Sequence, residues 1–96
     1  MDKEKIKKEL LEGSNNILTR YGEYELVDGI SVMNMAAKTV FLGSLRVHNE
    51  DNVEKIKKDL KKEFKDYGEL AIRDEKVVPC CAPNYIHISF NISINN

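Results

Sequence analysis

From Tyr85 to Ile94 the chain alternates strictly. Ile86, Ile88, Phe90, Ile92 and Ile94 fall on one side, and His87, Ser89, Asn91 and Ser93 on the other. A period of two is that of a half-buried strand in an antiparallel sheet, and five large apolar side chains on one face demand a second layer to cover them. Residues 50–67 supply such a layer. Val53, Ile56, Leu60, Phe64 and Tyr67 recur with the 3.6-residue period and form one narrow apolar stripe. Asn49 can cap this helix, Glu50 and Asp51 place negative charge at its positive end, and Gly68 offers a stop.

An earlier helix begins at Asp2, carries Ile6, Leu10, Ile17 and Tyr21 on one side with Leu11 and Leu18 flanking them, and stops at Gly22. Gly13 and Ser14 interrupt it on the apolar side, where small residues let another element approach closely. A single helix with a weak middle is expected, the alternative being a break at Gly13. Between the helices, Glu23 to Val27 alternates as a strand, Asp28-Gly29 is a dipeptide that favours a tight hairpin, Ile30 to Met35 can return, and Thr39 to Val47 leads into the second helix. After that helix come a strand at Glu69 to Arg73, a turn around Asp74 and Glu75, an extended piece at Val77 and Val78, and the final strand. The expected fold is a single two-layer α+β domain over residues 1–96, an antiparallel sheet with two helices on one face in the order α-β-β-β-α-β-β.

The two halves, 1–49 and 50–96, read alike. Glu4 to Leu10 is EKIKKEL and Glu54 to Leu60 is EKIKKDL, while Tyr21-Gly22-Glu23 matches Tyr67-Gly68-Glu69. The offset is 54 − 4 = 50 at the first anchor and 67 − 21 = 46 at the second, so the first helix is longer by four residues, about one turn. The extra turn falls around the segment Gly13-Ser14-Asn15-Asn16.

Charge and cysteine usage narrow the function. Fifteen basic against sixteen acidic residues leave a formal charge of −1, so no global field draws the chain to nucleic acid or an anionic membrane. No apolar run is long enough to span a bilayer, and the N-terminus is charged from its second residue, which makes the cytoplasm the expected location. Cys80 and Cys81 are adjacent, about 3.8 Å apart at Cα, too close for an unstrained disulfide, so reduced thiols are expected.

Each residue type that could carry chemistry has a plainer reading beside it. Cys80 and Cys81 lie between Pro79 and Pro83 and, with His48 and His87, would provide soft ligands for a metal or a reactive thiol. Their spacing matches no zinc pattern, and no basic residue stands close in sequence to activate a thiol; two small side chains lining a loop under the core is the simpler expectation. Lys57, Lys58, Lys61 and Lys65 form a basic flank on the second helix that could meet nucleic acid, but the acidic start at Glu50 and Asp51 would repel phosphates, and a solvated face is the expectation. The glycines are scattered, so no phosphate loop and no cofactor is expected.

Thr39 to Val47 carries the strongest functional hint. Phe41, Leu45 and Val47 lie on one side, Val40 and Leu42 on the other, and Met33 and Met35 can add to either set. Helices on one sheet face leave the second set uncovered unless a bulge at Gly43 turns the strand. The expectation is a small non-catalytic binding protein that masks or bridges a protein partner, or pairs with itself, through Met33, Met35, Val40 and Leu42. An inhibitor of the kind that phages and mobile elements encode would be one form of it.

Overall fold

The computed structural model describes residues 2–23 and 25–95; the side chains of Glu25, Val27 and Asp28 lie outside that description. The chain forms α1 (Lys3–Arg20), β1 (Glu25–Asn34), β2 (Lys38–Val47), a short 3-10 turn (Glu50–Asn52), α2 (Val53–Phe64), β3 (Glu69–Val77) and β4 (Tyr85–Asn95). The four strands make one antiparallel sheet in the order β1-β2-β4-β3. The fold is therefore the two-layer α+β arrangement expected from the periodicities, with one strand fewer in the first half: α-β-β-α-β-β.

The lost strand has a local cause. Asp28-Gly29 makes no hairpin; β1 runs through it, and the register against β2 shifts between Val27 and Ile30, with Gly29 at φ +66°. The positive φ that would have served a tight turn instead serves a bulge, which accommodates extra residues in one strand without reversing it. The reversal falls at Met35 to Ala37, where the Met35 N–H donates to the Lys38 carbonyl at 2.9 Å. The turn expected at Asp74 and Glu75 is likewise absent. β3 continues to Val77, and the two charges on its helix side are held by the helical layer: Lys57 Nζ lies 2.7 Å from Asp74 Oδ1, and Lys76 Nζ 3.5 Å from Glu50 Oε1.

α1 is one unbroken helix, capped by Asp2, whose Oδ1 accepts from the Lys5 N–H at 3.1 Å. Gly13 and Ser14 are buried, and the Phe64 ring sits so close that a Cβ at Gly13 would stand 2.8 Å from its Cε1. Phe64 packs in turn on Phe90, ring centroids 5.5 Å apart, and Phe90 covers Gly43 so closely that a Cβ there would overlap its ring. Two glycines thus make room for two phenyl rings at the centre of the core. Around them are buried Leu10, Ile17 and Leu18 from α1, Ile56 and Leu60 from α2, and Phe41, Leu45, Ile88 and Ile92 from β2 and β4. These last sit on one side of the two central strands, so both helices cover the same sheet face.

The tyrosines that end the helices make reciprocal bonds between the halves. Tyr21 Oη donates to Asp59 Oδ2 at 2.6 Å, and Tyr67 Oη donates to Glu9 Oε2 at 2.6 Å. Glu9 and Asp59 hold the same place in EKIKKEL and EKIKKDL. Each tyrosine thus finds its carboxylate on the other half's helix. Both hydroxyls are pushed above the ordinary value of 10, Tyr67 to about 12, first because the neutral hydroxyl donates to a carboxylate and second because of burial. Asp59 is held below its ordinary value by the Tyr21 hydrogen bond, and further by Arg20, whose Nη1 lies 2.8 Å from the same oxygen.

Candidate interaction surface

The sheet face away from the helices is set out by strand register. Reading across from β1 to β3, one row is Met33, Val40, Ser93 and Glu69, and the next is Ser31, Leu42, Asn91 and Ala71. Beyond these lie Ser44, Ser89 and Arg73, and then Arg46, His87 and Glu75. The pairing of β2 with β4 is uninterrupted from Lys38 to Val47, so no bulge at Gly43 turns the strand. Val40 and Leu42 therefore face away from Phe41, Leu45 and Val47, on the uncovered side.

This face has two ends of different chemistry. At the corner beside the β1-β2 hairpin, Met33 and Met35 are 50% and 47% exposed, above a 9% exposed Val40 and a half-buried Leu42. At the other end the Arg46 guanidinium sits 4.9 Å from the centre of the Tyr85 ring, a cation-π stack, with His87 across the strand and Glu75 next to it. Two of the chain's three arginines, Arg46 and Arg73, are on this face. Between the ends the small side chains of Ser44, Ser89 and Ala71 leave a shallow depression of about 430 Å³, which Leu42 and Arg73 also line. The four apolar residues expected to form an interface are thus gathered at one corner. The Arg46, Arg73 and Tyr85 side chains at the other end were missed, because single arginines in a strand carry no local pattern; His87, expected on the polar side of the last strand, stands among them rather than beside the cysteines.

The other candidates separate. Cys80 and Cys81 are both exposed in the β3-β4 loop, Sγ atoms 3.4 Å apart, and do not line a loop under the core. His87 lies opposite Arg46 in the middle of the sheet, while His48 follows the end of β2 with its ring 6.4 Å from that of Tyr85. Among the described residues no group of three or more His, Cys, Asp or Glu side chains is placed to hold a metal ion. On α2 and at its C-cap, Lys58, Lys61 and Lys65 are exposed, whereas Lys57 is tied to Asp74, whose hydrogen bond holds its ammonium above the ordinary value of 10.5. Among the described residues the basic flank is consequently three lysines outside the ion pairs and one within them. Among the described residues no helix is long and apolar enough to cross a membrane.

One buried carboxylate organises the join between the halves. Glu23, 5% exposed, accepts from the His48 N–H at 2.8 Å and the Asn49 N–H at 3.2 Å, and from Asn52 Nδ2 at 3.0 Å. Burial pushes this carboxyl up, but the three donated hydrogen bonds outweigh it and hold the group below its ordinary 4.5. Its role is structural: it fixes the entry to α2 against the end of α1. No family model matches the chain, and no match is found among curated proteins or solved structures.

Proposed function

We propose that this chain is a small non-catalytic binding domain of the cytoplasm that engages a protein partner through its open sheet face. The observation that supports this reading is the corner formed by Met33, Met35, Val40 and Leu42, apolar side chains on a face that neither helix covers. Methionine suits such a contact, since its flexible thioether adapts to different partner surfaces. Arg46, Tyr85 and Arg73 would supply the polar rim and its orientation. In the same reading the halves derive from a duplication, which the matched sequences and the reciprocal tyrosine bonds favour.

A photo-crosslinking side chain at Met33, introduced in the source cell, tests the reading. The expected result is one discrete protein adduct that disappears when Leu42→Glu is added and is not formed from the same probe at Lys62 on the helix layer. Equal labelling from both positions, or none from Met33, would overturn it.

A further inference from the structure

The two edges of the sheet are not equivalent. β1 is broken by its bulge at Gly29, whereas β3 runs nine residues with no register shift, no proline and no glycine. A regular edge presents unpaired N–H and C=O groups on which another strand can add. The two ends of β3 also differ. Asp74 and Lys76 point toward the helix layer, where Lys57 and Glu50 engage them, and inward charges of this kind obstruct strand addition. From Glu69 to Arg73 the obstruction is absent: Leu70 and Ile72 lie half-buried on the helix side, and Glu69, Ala71 and Arg73 are exposed on the open side. Among the described residues, neither Glu69 nor Arg73 takes part in the ion pairs of its own chain.

We propose that a second copy of this chain pairs antiparallel with the first half of β3, about a two-fold axis at Ala71. In this register Ala71 faces its own copy, Leu70 faces Ile72 of the second copy, and Glu69 faces Arg73 of the second copy, each of the last two pairings occurring twice. Apolar meets apolar on the helix side and opposite charges meet on the open side. The neighbouring registers lack this match. An axis at Ile72 sets Glu69 against Glu75 and Leu70 against Asp74; one at Arg73 sets two arginines face to face and Leu70 against Lys76; one at Asp74 opposes two aspartates. The product is an eight-stranded sheet whose two open faces lie on the same side, so that the dimer presents the proposed binding surface twice. The overlap is short, which places the association in the weak class of interfaces.

Sedimentation equilibrium on the whole chain, from micromolar to millimolar concentration, tests the pairing. A monomer-dimer equilibrium is expected. Glu69→Arg or Arg73→Glu alone puts like charges opposite each other at both ends and should weaken the dimer about tenfold or more, while the double variant E69R/R73E restores it. Both side chains are exposed, so thermal melts of the variants should match the parent and separate lost pairing from lost folding. Ser31→Arg, on the exposed surface of β1 at the opposite edge of the sheet, should leave the dimer intact. A monomer throughout, an assembly larger than a dimer, no rescue by the double variant, or dissociation by Ser31→Arg would each overturn the proposal.

Discussion

Tyr21-Gly22-Glu23 and Tyr67-Gly68-Glu69 are the same three letters in the same place, at the exit of a helix into a sheet, and they are used differently residue by residue. The tyrosines act alike, each bonding to the carboxylate of the opposite helix. The glycines share only their smallness: Gly22 adopts φ +75°, while Gly68 makes room for the Ser93 carbonyl, which a Cβ would overlap. The glutamates diverge completely. Glu23 is buried with three donors, and Glu69 stands exposed on a sheet edge. What the halves share is the contact that joins them, and what separates them is the residue whose surroundings differ.

Substitution pairs can break this comparison, and the glutamates should show the largest contrast. Glu23→Ala removes the acceptor of the His48 and Asn49 N–H groups and one of the two acceptors of Asn52 Nδ2, which keeps the Tyr21 carbonyl, and should cost about 2–3 kcal/mol in urea unfolding, whereas Glu69→Ala should change stability by less than about 0.5 kcal/mol. Equal effects would mean that the buried carboxylate is not the organising group.

The glycines come next. Gly68→Ala drives a methyl group against backbone and should cost about 2 kcal/mol, the lower part of it recoverable only by moving β4. Gly22→Ala meets nothing and should cost about 1 kcal/mol from its left-handed backbone alone.

For the tyrosines, Tyr67→Phe removes the bond to Glu9 and should cost about 1 kcal/mol. Tyr21→Phe should cost less, because Asp59 keeps Arg20 as a partner. Chemical denaturation of the two variants side by side checks the order.

The smallest and broadest effects are those of pH. Glu23 has a folded pKa below its ordinary 4.5, so its contribution is present above that value and lost as pH falls through the folded one; the acid limb of the stability curve should flatten in Glu23→Ala. Tyr67 has a folded pKa raised to about 12, so its contribution is present below pH 10 and lost as pH rises between 10 and 12. Tyr67→Phe should flatten that alkaline limb, and an unchanged slope would show that the hydroxyl bond carries no stability.

Much of the fold was legible because it is local. The stripe Val53, Ile56, Leu60 and Phe64 and the alternation from Ile86 to Ile92 are set by spacing alone, and all of these residues are buried where their periods place them. The apolar corner was legible for the same reason, since Val40 and Leu42 alternate with Phe41. Asp28-Gly29 misled because a positive φ at glycine serves a bulge as well as a turn, and the choice depends on how the flanking residues pair with β2. Of the rim of Arg46, Tyr85, His87 and Arg73 only the face of His87 could be read, because the rim is assembled across three strands.

The sequence by itself determined where the two helices and the final strand lie, which side of each is apolar, and that the EKIKK and YGE segments recur in both halves. Only the tertiary structure decided that β2 and β4 join those units at the centre, that Glu23 is buried while Glu69 is exposed, and that one sheet edge is bulged while the other is regular. Periodicity is a property of neighbours along the chain, but burial and edge position depend on strand order and register, which are fixed by contacts between residues far apart in it.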